Sequence, residues 1–244
     1  PGQQAARVLA DYAGLQQQYP RPEGSAAELG VLRQAEQRLG ELGIPTRRLD
    51  FRESDRDHSF SEVLVASVAG ERPDTLLVAV PLDHPAEASR DRDGSINVAL
   101  ALGLLAAASL RKPAMTLEVL FLGAEFGSGA QYPMGSRLFL RDFTTAERAM
   151  AMYLNLRAVP SRLLVRTGGR GIECPFWLID RTTRALDAAG LFFRIRGNET
   201  QVFRFGLTDQ PTMIEPYLNA GYPAVSLEGE YDGLPAGGEE AWVA

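Results

Sequence analysis

Few side chains in this 244-residue chain could do metal or nucleophile chemistry, and most of them stand at the ends of apolar runs. Asp83 and His84 follow the run Leu76 to Leu82, and Asp91, Arg92 and Asp93 precede Gly94-Ser95. Glu125 and Phe126 follow Phe121-Leu122-Gly123-Ala124, Arg157 closes Tyr153-Leu154-Asn155-Leu156, and Asp209 and Gln210 follow Thr208. Imidazole and carboxylate are the usual ligands of hydrolytic zinc, about three per ion plus water. Only His58 and His84 can supply imidazole, and none occurs from Pro85 to Ala244. A guanidinium has no lone pair for a metal, so Arg92 and Arg157 would repel a dication.

Other chemistries are poorly supplied. The single Cys174 excludes a disulfide framework and a thiolate cluster, and its apolar neighbours predict a buried, inert thiol. Gly127-Ser128-Gly129 has no histidine downstream to serve as base, and Gly168-Gly169-Arg170-Gly171 reads as a turn rather than a phosphate loop. A net charge of -6 leaves no basic stripe for nucleic acid. No apolar run approaches a membrane span, and Val98 to Leu110 reads as a buried helix. His58 and His84 both read as solvated loop residues. A shifted metal site would have to draw on His84, Asp91 and Glu125.

The elements that position these residues alternate. Gln3 to Tyr19 and Leu29 to Leu42 carry helical spacing, with Ser25 and Glu28 forming a capping box and Gly43 a stop. Strands are expected at Arg47 to Phe51, Glu62 to Val68, Thr75 to Val80, Thr116 to Leu122, Ala149 to Leu156 and Leu163 to Arg166. Further ones are expected at Phe192 to Ile195, Val202 to Phe205 and Ala224 to Leu227. Helices are expected at Ile96 to Leu110, around Arg137 to Leu140, and at Thr182 to Ala189. This alternation predicts an α/β fold of three layers, a mostly parallel central sheet with helices on both faces. No linker or repeat interrupts it, so residues 1–244 are expected to form a single domain.

The order of motifs resembles the two-zinc aminopeptidase superfamily, which includes leucyl aminopeptidases, glutamate carboxypeptidase, glutaminyl cyclase, transferrin receptor and nicastrin. The resemblance rests on Arg21-Pro22-Glu23-Gly24-Ser25 between two helices, on Gly123-Ala124-Glu125 followed by Gly135-Ser136-Arg137-Leu138-Phe139, and on Gly221-Tyr222-Pro223-Ala224. It implies a degenerate member. The first zinc histidine falls on Pro81, the bridging aspartate on Arg92, the second glutamate on Phe126, and the aspartate closing the Asn-Leu-Asp strand end on Arg157. The late Ser-Asp-His motif falls on Thr208, Asp209 and Gln210. The general base survives as Glu125, and neighbours of lost ligands survive as Asp83 and Asp93.

The resemblance thus implies zinc for the family but leaves no ligands for it here, so no cofactor is expected. Two readings of the pocket Asp83, Arg92, Asp93, Glu125, Phe126, Arg157, Asp209 and Gln210 follow. In one, the arginines and acids neutralise one another, with Glu125 paired to Arg92 or Arg157. In the other, the arginines fork onto a carboxylate or phosphate. The expected function is that of a catalytically inactive domain binding a protein partner or a small anion; the alternative is a metal-dependent peptide hydrolase with a non-standard site. The family also implies an extracytoplasmic location. A chain opening at Pro1 is expected to be processed or trimmed, and one ending at Ala244 to lack the family's closing helix or to be a fragment.

Overall fold

The computed structural model describes residues 2–51, 61–127, 132–142, 149–196 and 212–231. Ahead of the sheet, α1 (Gly2–Leu15) continues into a 3-10 turn (Gln16–Gln18), shortening the single helix read from Gln3 to Tyr19. A turn then leads to α2 (Ala26–Glu41). Ser25 Oγ accepts the Glu28 amide at 3.1 Å, as a capping box requires, but Glu28 reaches back to the amide of Gly24, at 2.6 Å, rather than to that of Ser25. Gly43, at φ +67, ends the helix.

Eight strands form one sheet in the order β1-β2-β4-β3-β5-β10-β6-β9. They are β1 (Thr46–Asp50), β2 (Glu62–Val68), β3 (Arg72–Pro81), β4 (Met115–Leu122), β5 (Ala149–Asn155), β6 (Arg162–Arg166), β9 (Phe193–Arg196) and β10 (Ala224–Glu230). Strands β4, β3, β5 and β10 run parallel, the arrangement expected of near-continuous apolar runs buried on both faces. Antiparallel β2 and β6 flank them. A two-residue hairpin, β7 (Gly168–Gly169) with β8 (Ile172–Glu173), accounts for the glycine cluster. At one margin β1 is guarded by charge: Arg48 grips Glu36 and Glu62, and Arg47 lies 3.8 Å from Glu118.

Helices α1, α2 and α3 (Ser95–Leu110) cover one face, where Leu32, Leu39, Val98, Leu102 and Leu105 meet Val78, Val80 and Phe121. The other face carries α4 (Met134–Asp142), α5 (Phe176–Ala188) and α6 (Glu215–Asn219), which bring Phe139, Leu178 and Tyr217 against Leu77, Leu120 and Tyr153. Three layers result. Sequence periodicity began α5 six residues late, because Phe176 and Trp177 are exposed and break the amphipathic pattern, and it gave no sign of the short α6. Counted with its leading 3-10 turn, Arg90–Leu110 is long and apolar enough by length and composition alone to cross a membrane, although 56% of its most apolar window is buried within the molecule. That extends the run read from Val98; its buried residues pack as a core helix. Cys174 is buried, and burial pushes its thiol up to about 11. His58, Ser128, Gly129, the strand read at 202–205, Thr208, Asp209, Gln210 and residues 232–244 lie outside the described residues.

Candidate functional site

In parallel sheets, functional residues collect at the carboxyl ends of the strands, and the surviving motif residues are found there. Their alliances differ from those expected. Asp83, just past β3, is 2% exposed and turns both oxygens to backbone: Oδ1 accepts the Glu125 amide at 3.0 Å and Oδ2 the Phe126 amide at 2.8 Å. Burial, opposed by those amides, pushes its carboxyl upward. The next amide back, that of Ala124, donates to Glu28 Oε1 at 2.9 Å, and Ser61 donates to the same oxygen at 2.7 Å. Three successive amides of the Gly-Ala-Glu loop are therefore held by two carboxylates. Gly123 makes this possible, since a Cβ there would stand 1.7 Å from Ser61 Oγ and 2.7 Å from Glu28 Oε1.

Glu125 was expected to pair with Arg92 or Arg157, and it pairs with neither. Its Oε1 accepts the Ser136 amide at 2.7 Å; its Oε2 accepts the hydroxyls of Ser136 at 2.8 Å and Tyr153 at 2.7 Å. Ser136 Oγ also lies 3.1 Å from the Tyr217 hydroxyl. Ser136 comes from α4, Tyr153 from β5 and Tyr217 from α6, so the carboxyl group is enclosed by three elements and is 2% exposed. Burial raises its pKa to about 7, against the pull of Tyr153 and Ser136. Charge complementarity alone would have favoured arginines. The core instead supplied hydroxyls, which can satisfy the group in either protonation state.

Asp93 is likewise claimed elsewhere. Arg21, 1% exposed, sends Nη1 to Asp93 Oδ2 at 2.8 Å and to Ser95 Oγ at 2.9 Å. Its Nη2 donates to Asp93 O at 2.8 Å and its Nε to Leu82 O at 2.9 Å. Sequence reading placed Arg21 only in a turn motif; a fully buried arginine bonded 72 residues away leaves no local signature. His84, expected in solvent, is 4% exposed. Its Nε2 accepts the Arg21 amide at 2.7 Å, and its ring stacks on Tyr19 at 5.3 Å. Asp91, by contrast, is largely solvent-exposed. The shifted ligand trio is thus spread across a buried turn, an exposed loop and a buried network.

Arg92 and the backbone of Arg157 both contact Tyr231. The Arg92 guanidinium lies 5.7 Å from the Tyr231 ring centre, and the Arg157 amide donates to the Tyr231 hydroxyl at 2.6 Å. Their loops are tied further: the Gly94 amide donates to Arg157 O at 3.0 Å, and Asn97 exchanges two bonds with the Leu156 backbone at 2.8 and 2.9 Å. Gly94 adopts φ +75 at this junction, a conformation open to glycine.

Of the ligand positions implied by the resemblance, those among the described residues hold Pro81, Arg92, Phe126 and Arg157, none of which can donate to zinc; the fifth, Gln210, lies outside them. Asp83 and Glu125 turn both carboxyl oxygens to amides and hydroxyls. Among the described residues no group of three histidine, cysteine or acidic side chains could hold a metal ion. The residues described at those four positions do not fit the family's metal pair.

Comparison with known structures places this architecture. Porphyromonas gingivalis glutaminyl cyclase superposes with a TM-score of 0.71 at 17% identity, covering 94% of this chain and 85% of that one. A Zn-dependent exopeptidase from Parabacteroides distasonis gives 0.69 at 13%, covering 98% and 87%. A leucine aminopeptidase precursor from Bacteroides thetaiotaomicron gives 0.67 at 15%, covering 91% and 84%. The chain therefore has the fold shared by these zinc exopeptidases and glutaminyl cyclases. The sequence model for the first domain of the TP_0564 family matches residues 124–236. No curated protein matches the chain.

Proposed function

We propose that this is a non-catalytic zinc-exopeptidase-fold domain whose carboxyl edge, around Arg92, Arg157 and Tyr231, binds an anionic group of a small ligand or protein partner. The observation that carries the reading is the burial of Glu125. A general base must reach the substrate or its attacking water, and this carboxyl is enclosed by Ser136, Tyr153 and Tyr217. Among the described residues no ligand set stands beside it to hold a metal that would generate a low-pKa water. What the edge offers instead is positive charge. Arg92 is poised over an aromatic ring and its nearest acid among the described residues is the exposed Asp91 at 4.0 Å, a weak tie.

Two measurements test this. Elemental analysis after dialysis against zinc should find no stoichiometric metal, and aminoacyl chromogenic substrates should not turn over. One zinc per chain, lost in His84→Ala, would restore the hydrolase reading. Thermal melts with acetate and phosphate should show stabilisation of the parent that is lost in Arg92→Ala. Equal melts for both proteins with every anion would remove the binding site from the proposal while leaving the inactivity intact.

A further inference from the structure

Among the described residues His84 is the one histidine, and every hydrogen-bonding position on its ring is occupied. Nε2 accepts the Arg21 amide at 2.7 Å, so the proton of the neutral ring sits on Nδ1, which donates to Pro85 O at 2.7 Å. The backbone makes the tie reciprocal, since the His84 amide donates to Arg21 O at 3.1 Å. Tyr19 covers the ring face at an interplanar angle of 18°, and its hydroxyl donates to Ala88 O at 2.9 Å. The imidazole therefore joins the turn before α2 to the loop after β3.

We infer that His84 is an acid-operated latch: neutral, it holds the Arg21 turn against the loop that leads to Arg92; protonated, it releases the Arg21 amide. In the cation both ring nitrogens are donors, so Nε2–H would face the Arg21 N–H donor to donor. The charged groups around the ring do not favour the cation enough to offset this. From the turn, the Arg21 guanidinium repels it. From the head of α3, Asp93 attracts it, but that carboxylate is engaged by Arg21 at 2.8 Å. The adjacent Asp83 directs both oxygens to the amides of Glu125 and Phe126. Burial lowers the histidine's proton affinity below the ordinary 6.5, against the pull of the Pro85 carbonyl and with a smaller contribution from Arg21. The latch thus contributes its full stability above 6.5 and loses it as pH falls through the lower folded value. Release would free the 84–92 loop and so alter the arginine edge, though the latch stands whether or not that edge binds anions.

Amide hydrogen exchange by mass spectrometry on the full chain reads this directly. Rates are corrected for intrinsic exchange between about pH 7.5 and about pH 4.5. In the parent, peptides covering residues 19–25 should gain roughly ten-fold in exchange relative to β2. In His84→Gln, whose amide oxygen can accept the Arg21 N–H without titrating, they should stay level. A parent that stays level, or both proteins rising together, overturns the latch. Should His84→Gln not fold, ring nitrogen shifts of the parent decide: the Nδ1–H tautomer at neutral pH and a cation appearing only below 6.5, in step with the Arg21 amide, are expected. A ring that protonates without moving that amide overturns the inference equally.

Discussion

Asp93 and Glu125 are almost equally buried, at 0% and 2% exposure, yet the molecule accommodates them by opposite means. Asp93, on the face packed by α1 to α3, is neutralised by a guanidinium that also binds Ser95 and the backbone of Leu82. Glu125, on the face packed by α4 to α6, meets an amide and two hydroxyls and no cation. The first is a fixed charge pair, because an arginine cannot lose its proton. The second can take up or release a proton by reorienting hydroxyl hydrogens. One acid is accommodated by charge compensation and the other by polar groups without a cation.

The comparison can be broken most forcefully at Arg21. Arg21→Met should leave Asp93 buried without its cation and cost about 3–5 kcal/mol, read as a fall in melting temperature on the order of 10 °C. A loss under about 1 kcal/mol would mean that water reaches Asp93 and takes the place of the guanidinium. Glu125→Ala should cost less, about 1–3 kcal/mol, by stranding the Ser136 amide and the Tyr153 hydroxyl. Glu125→Gln sharpens the contrast through pH. A carboxyl raised from 4.5 to about 7 stabilises the fold below 4.5 and loses that contribution as pH climbs to about 7. The glutamine variant should therefore gain on the parent across that window in denaturant melts, and a pH-independent difference would show Glu125 ionised throughout. Smallest of all, Arg92→Ala should cost under about 1 kcal/mol, the value of a partly exposed cation–π contact.

Much of the architecture was legible because it rests on local pattern. The apolar runs of β2, β3 and β4 and the Ser25–Glu28 cap are written in neighbouring residues, and so was the burial of Cys174. The site was legible as a set of positions but not as a set of contacts. Asp83 looked like a pocket acid, yet its partners are main-chain amides that any residue would supply. Tyr153 sits in the apolar run Met152-Tyr153-Leu154 and reads as core, with nothing to reveal that its hydroxyl finds Glu125. His84 beside Pro85 in a charged loop suggested solvent; its burial comes from Tyr19 and Arg21, more than sixty residues earlier. The Arg-x-x-Gly-Ser motif was the one available pointer to Arg21, and it was read as a turn rather than an anchor.

The position of β10 has a consequence for biosynthesis. It inserts between β5 and β6, although it is made last among the described strands. Until it emerges, β5 and β6 each present an unpaired apolar margin, including Ala151, Tyr153, Leu164 and Val165. At roughly 5–20 residues per second, several seconds of translation separate β5 from β10. The nascent chain passes through that interval with two aggregation-prone edges open. That exposure also means that stop codons only a little upstream of Ala224 should yield insoluble product rather than a smaller folded domain.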